Sequence, residues 1–163
     1  ALTDALTQLP NRRHGLDYLA SEWAFAHANG LPMACLLLDI DHFKRINDGY
    51  GHAAGDAVLR QLADLLKRAS RVEDLVFRYG GEEFAAVLPN ASVRAAAQIA
   101  ERIRALVEKY RFIWEQQSIP VTLSIGVANL STRLKDSQAL IEAADAALYE
   151  AKRSGRNRVV VAS

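Results

Sequence analysis

Residues 75–88 read Leu-Val-Phe-Arg-Tyr-Gly-Gly-Glu-Glu-Phe-Ala-Ala-Val-Leu, two apolar runs around Gly80-Gly81-Glu82-Glu83. A short glycine-containing connection between strand-like runs is a hairpin signal. The glycines can adopt positive φ and carry no Cβ, so another molecule can approach the backbone there. On their own, adjacent acids at a turn are a solvated surface feature. Held beside a backbone that admits phosphate, Glu82 and Glu83 point to a divalent cation, because hard cations take oxygen ligands. A second acidic element, Asp39-Ile40-Asp41, follows the apolar run 33–38. That run reads as a strand buried on both faces. Asp39 still belongs to the strand, whereas Asp41 reads as a cap for the helix that follows. A short helix over 42–48 would turn its N-terminal amides toward the same edge, where they can hold phosphate oxygens. Lys44 adds charge. If the two strands are neighbours, three carboxylates meet. That set fits Mg²⁺ bridging nucleotide phosphates, since Mg²⁺ keeps one or two carboxylates plus phosphate and water. Two such ions can activate a hydroxyl nucleophile and stabilise a phosphoryl transition state. Asn47 and Asp56 remain to read a base, and Lys152 and Arg156 to meet terminal phosphates.

The elements that position these residues follow from periodicity. Asn11 is a candidate N-cap, and Leu16, Leu19, Trp23 and Ala26 recur at helical spacing up to a stop at Gly30 and Pro32. Tyr50-Gly51-His52 and Gly55-Asp56 read as a polar loop. Val58, Leu59, Leu62, Leu65 and Leu66 then give a helix stripe running to about Ala69. Arg71-Val72-Glu73-Asp74 reads as a surface ion-pair cluster, worth about 0–1 kcal/mol. Ser92 caps a helix with Ile99, Ile103 and Leu106 inward; Arg94, Arg102 and Arg104 need only a solvated face. Residues 112–114 suit an edge strand, and Ile119, Val121, Leu123, Ile125 and Val127 alternate as a strand with one strongly apolar face. Leu140, Ile141, Ala144, Ala147, Leu148 and Ala151 form a last helix, stopped by Gly155, and 158–161 closes as a strand. A hairpin and helices inserted between buried strands predict an α+β fold, with helices on both faces of the sheet.

At 163 residues the chain fits one domain, 1–163, large enough to bury about 70 % of its unfolded surface. It is 50 % hydrophobic and 24 % charged, a soluble globular composition. A net charge of +1 gives no global field for nucleic acid, and the longest apolar run is too short for membrane insertion. The single cysteine, Cys35, reads as a buried thiol and fits a reducing compartment. The sequence carries no secretory signal and begins without Met, as a piece of a longer chain would.

Five segments, in order, resemble the GGDEF family, the catalytic domain of diguanylate cyclases. They are DALTQLPNRR at 4–13, LLLDIDHFKRINDGYGHAAGD at 36–56, RYGGEEF at 78–84, VTLSIGVA at 121–128 and ADAALYEAKRSGRNRV at 144–159. The resemblance implies a mostly antiparallel sheet flanked by helices on both faces, like the palm of nucleotide cyclases. It implies condensation of two GTP into cyclic di-GMP with release of two pyrophosphates. Two Mg²⁺ (or Mn²⁺) per site are implied, with Asp39, Glu82, Glu83 and the Ile40 carbonyl as ligands. Glu82 would accept the 3′-hydroxyl proton. Backbone near His42 and Phe43, with Lys44, would contact phosphates, and Lys44 would stabilise the transition state. Asn47 and Asp56 match guanine readers, His52 a substrate contact, Gly80 and Gly81 the substrate turn, and Lys152 and Arg156 phosphate contacts. Arg71-x-x-Asp74 matches an inhibitory site for the product, with Arg102 as the completing arginine. The resemblance further implies a homodimer, an N-terminal sensory or dimerisation domain, and a cytoplasmic location, free or as the cytoplasmic part of a membrane-anchored protein. The alternative is a catalytically silent GTP- or cyclic di-GMP-binding module; a related palm making a cyclic mononucleotide is a third reading. Two positions depart from the pattern: Gln8 stands where the family usually has Gly, and Glu82 where it has Asp.

Overall fold

The computed structural model describes residues 2–163. Its first helix, α1 (Arg12–Asn29), starts where Asn11 accepts from the His14 amide at 2.9 Å and ends at Gly30 in the left-handed conformation. Strand β1 (Met33–Ile40) is buried at every position, as its unbroken apolar run requires. The short helix α2 (Phe43–Tyr50) follows. Helix α3 (His52–Ala69) begins one residue after Gly51. The expected polar loop around His52–Asp56 is therefore the first turn of a helix. Its buried face starts there too, but with the small residues Ala54, Gly55 and Ala57, which give no large apolar stripe.

Strands β2 (Leu75–Arg78) and β3 (Glu83–Pro89) pair as the expected hairpin. Helix α4 (Val93–Lys109) is capped by Ser92, which accepts from the Ala95 amide. The 119–127 segment is not one strand. β4 (Phe112–Trp114) and β5 (Gln117–Ile119) form a separate small hairpin, and Pro120, which lacks an N–H, parts it from β6 (Leu123–Asn129). Nor is β6 one-sided: its small residues are buried too, because helices cover both faces. Helix α5 (Ser137–Arg153) and β7 (Arg158–Val161) complete the chain.

The five-stranded sheet runs β2-β3-β1-β6-β7, antiparallel except for the β6–β7 pair. Alternation along the strands sends Ala34, Leu36, Leu38, Phe84, Ala86 and Leu88 into a core under α3 and α4. Cys35, Leu37, Phe77, Ala85 and Val87 enter a second core under α1 and α5. Each large buried side chain contributes about 1.5–3 kcal/mol. Burial also pushes the Cys35 thiol up to about 12, so it is an inert core residue. Gly126 on β6 sets the height of α5: an added Cβ would lie 2.2 Å from the Ala144 carbonyl oxygen. That contact seats the helix carrying Lys152 close to the sheet. No helix among the described residues is long and apolar enough to cross a membrane.

Candidate active site

Central β1 pairs with β3 so that Asp39 lies opposite Glu83, and the Ile40 amide donates to the Glu82 carbonyl at 3.3 Å. The Glu82 carboxyl group lies close enough to Asp39 for their charges to act on each other. Asp39 is buried; its Oδ2 is paired with the Lys152 ammonium, while its Oδ1 is buried without a partner. Two ionised carboxylates cannot bond each other, since neither donates. Burial, then the charge of Asp39, pushes the Glu82 carboxyl up to about 7 against the pull of Lys152. Burial and the Asp39 charge raise Glu83 as well. Burial alone would lower the Lys152 ammonium, but Asp39, Glu83 and Glu82 together hold it above its ordinary value.

This site is electrostatically unsatisfied, and an unpartnered buried charged oxygen costs about 1–3 kcal/mol or more. The donor set is entirely oxygen, which suits a hard divalent cation. Among the described residues, no three His, Cys, Asp or Glu side chains are gathered closely enough to hold a metal alone. The expected three-carboxylate cage is thus a close pair, Asp39 and Glu82, with Glu83 beside it. Carbonyl, water and phosphate oxygens would complete a shell of the kind Mg²⁺ takes.

The turn bearing these acids is braced from the start of the chain. Arg78 donates to the carbonyls of Gly80 at 3.2 Å and Gly81 at 2.7 Å, and Asp4 grips its other nitrogen at 3.1 Å. Arg12 donates to the Tyr79 carbonyl and lies 4.0 Å from the centre of its ring. Neither Gly80 nor Gly81 adopts positive φ. Space matters at Gly80, where a Cβ would sit 3.1 Å from Glu83 Oε1; one on Gly81 would meet nothing within 4 Å.

Beyond Asp41 the chain turns through His42, in the left-handed conformation at φ 55, into α2, whose N-terminus no side chain caps. Its free amides can receive an anion. Lys44 is 88 % exposed on its side chain and pairs with Asp48 at 2.9 Å, along its own helix rather than toward the carboxylates. Asn47 packs on α3: a Cβ on Gly55 would lie 1.9 Å from Asn47 Oδ1. Only glycine there lets the amide of Asn47 settle against the turn whose next residue is exposed Asp56. His52 opens α3 and is exposed.

Asp41 does not cap α2. It is buried and accepts from Thr122 Oγ1 at 2.7 Å, Ser124 Oγ at 2.6 Å and the Asn157 amide at 2.9 Å. That amide belongs to the α5–β7 turn, where Gly155, Arg156 and Asn157 all have positive φ.

A family model described as "Diguanylate cyclase, GGDEF domain" matches residues 1–158. The chain belongs to this family. Diguanylate cyclase A of Treponema denticola is 42 % identical over 98 % of this chain and 44 % of its own length. The response regulator PleD of Caulobacter vibrioides is 44 % identical over 98 % of the chain and 36 % of its length. The GGDEF chain therefore spans less than half the length of these curated relatives. Among solved structures, the GGDEF domain of DgcB from Caulobacter crescentus in complex with c-di-GMP superposes at TM-score 0.94 with 38 % identity, covering 99 % of this chain and 93 % of that one. The active GGEEF domain of a diguanylate cyclase from Vibrio cholerae superposes at 0.90, also 38 % identical, covering 96 % and 99 %.

Within this GGDEF domain, Asp39, Glu82, Glu83 and Lys152 converge, and Asn47 meets the turn carrying Asp56. Arg156 is exposed just past α5. Arg71 and Asp74 form a bidentate pair with the Asp74 side chain 1 % exposed, and Arg71 also donates to the Pro89 carbonyl at 2.8 Å. That is far from a loose surface contact. They line a cavity of about 450 Å³ with Leu9, Lys67 and Val72. Arg102 lines a different concavity on α4 and donates to the Ala69 carbonyl at 3.2 Å. Arg104, assigned only a solvated face from sequence, instead binds Glu101, Glu108 and Asn157. The roles of Asp41 and Asn157 were missed for the same reason. Their partners lie up to 116 positions away in the chain, beyond any local pattern; the only sequence signal was a second acid beside Asp39.

Proposed function

We propose that this domain is the catalytic unit of a diguanylate cyclase, joining two GTP into cyclic di-GMP with release of two pyrophosphates. The observation that carries the reading is the buried, unpartnered Asp39 oxygen next to Glu82, on strands locked in register. Asp39, Glu82, Glu83 and the Ile40 carbonyl would hold two Mg²⁺ or Mn²⁺. When bound, the metal supplies Lewis-acid stabilisation of phosphate charge and lowers the pKa of a coordinated hydroxyl.

The protein's own groups do the rest. Glu82, beside Asp39, is the carboxylate that takes up the 3′-hydroxyl proton. The uncapped α2 amides at Phe43 and Lys44, with His42 before them, receive phosphate oxygens. Lys152 and Arg156 neutralise the terminal phosphates. Lys44, which can leave exposed Asp48 for substrate, stabilises charge in the transition state. Asn47 and Asp56 read guanine, a carboxylate accepting from N1–H and the N2 amine together. His52 contacts the substrate, and Gly80 and Gly81 leave it room. Each domain has one half-site, so two copies must face each other for each 3′-hydroxyl to reach the other's α-phosphate. An attached N-terminal sensory or dimerisation domain would set that encounter. Product bound at Arg71 and Asp74, with Arg102, would inhibit the enzyme.

The test is chromatography of the products from GTP and Mg²⁺, using the chain at high concentration and fused to a dimeric coiled coil. Cyclic di-GMP and pyrophosphate are expected. GTP binding without turnover in the forced dimer would identify a silent module, and a cyclic mononucleotide would identify a different cyclase.

A further inference from the structure

We infer that Asn157 is a positioning residue, which clasps the phosphate-binding end of the site to the chain that follows the metal-binding strand. Its backbone N–H donates to Asp41 Oδ2 at 2.9 Å, two residues beyond Asp39. Its side-chain oxygen accepts from Arg104 Nη1 at 2.8 Å, and its side-chain nitrogen donates to Glu108 Oε2 at 2.9 Å. Three elements thus meet at one residue: the end of β1, helix α4 and the α5–β7 turn.

The anchors are themselves fixed. Asp41 is held by Thr122 and Ser124 of the neighbouring segment, and Arg104 by Glu101 and Glu108 on its own helix. The residue so held is in the left-handed region at φ 45, directly after Arg156 at φ 64. Two successive non-glycine residues in that region persist only where surrounding bonds over-determine them. The Arg156 amide donates to the Ala151 carbonyl at 2.9 Å, and its own carbonyl accepts from Arg158 Nε at 3.0 Å. The backbone from which the Arg156 guanidinium springs is therefore fixed relative to Asp39. Asn157's polar groups are taken up by Asp41, Arg104 and Glu108, so its effect runs through Arg156.

This inference rests on the GTP reading of the site, and the experiment separates the two. GTP and GMP binding are measured by calorimetry with Ca²⁺ in place of Mg²⁺, on the unaltered chain and on Asn157→Ala, Arg156→Ala and the double variant. Asn157→Ala should weaken GTP roughly tenfold, the scale of one misplaced charge-assisted bond, and leave GMP unchanged. In the Arg156→Ala background it should add little. Asn157→Gly keeps the left-handed backbone and its amide bond to Asp41 while removing the side-chain bonds to Arg104 and Glu108, and gives the same comparison if the alanine variant fails to fold. Equal losses for GTP and GMP, or full additivity with Arg156→Ala, would overturn the positioning role alone. An unaltered chain that binds neither nucleotide would overturn the function reading, and this inference with it.

Discussion

Asp39 and Asp41 stand two residues apart and both are buried, yet their surroundings are opposite. Asp39 keeps one oxygen without a partner and crowds a second carboxyl group. Asp41 receives two hydroxyls and an amide. A buried carboxylate with both oxygens bonded stabilises a fold; one with Lys152 on one oxygen and nothing on the other, beside a second carboxyl group, has an oxygen available to something else. The difference sorts the second Asp of the motif from the first, which their spacing alone cannot do.

The largest expected break of this contrast is in turnover. Glu83→Gln or Asp39→Asn should lower cyclic di-GMP formation by about 10²–10³-fold or more, while circular dichroism and thermal melting show an intact fold. Near-normal activity would remove the metal-site argument. On the other side, Asp41→Asn should lower unfolding free energy by about 3 kcal/mol, because three donors lose a common anionic acceptor. Denaturant titration of Asp39→Asn and Asp41→Asn side by side checks it, and a reversal of their order would refute the distinction.

A third variant probes the base-reading end. Gly55→Ala places a methyl group 1.9 Å from Asn47 Oδ1. It should evict Asn47 and weaken GTP binding by about tenfold, with little change in melting temperature; calorimetry decides it. A smaller effect concerns pH. The Glu82 carboxyl sits at about 7 in the fold against 4.5 ordinarily. The metal-free fold therefore holds an extra proton between those values, and the stability this gives is lost as pH rises through 7. A cation replaces that proton, so the rise in melting temperature on adding Mg²⁺ should grow from pH 5.5 to 8. A pH-independent rise would separate Glu82 from the metal. Arg71→Ala should relieve inhibition by added cyclic di-GMP without lowering the initial rate; unchanged inhibition would mean the Arg71–Asp74 assignment is wrong.

Much of this arrangement was legible in the chain. The unbroken apolar run before Asp39 requires a central strand, and the hairpin around Gly80-Gly81 follows from its glycines. Adjacency of the two strands had to be assumed, because pairing register is a long-range property; here Asp39 falls opposite Glu83. Elements failed where small buried residues hid the period, as Ala54 and Gly55 do in the first turn of α3, or where Pro120 divided an alternating run into two strands. Of the two properties read into the hairpin glycines, positive φ falls elsewhere, at Gly30, Gly51 and Gly155, while the missing Cβ matters at Gly80, where it keeps clear of Glu83. Asp41, Arg104 and Asn157 escaped because side-chain bonds between distant segments leave no periodic trace.

Gln8, the position where the family usually carries Gly, sits at φ 62, in the region that disfavours side chains. Its amide donates to the Asp4 carbonyl at 2.8 Å, closing the small loop whose acid anchors Arg78. The substitution has thus left a compressed spring at the front of the molecule. Restoring glycine would release up to about 1 kcal/mol, partly offset by the freedom glycine gains when unfolded. It would also give up the bond that the Gln8 side chain donates to the Ala5 carbonyl at 2.8 Å, and no atom of the reaction centre would be changed.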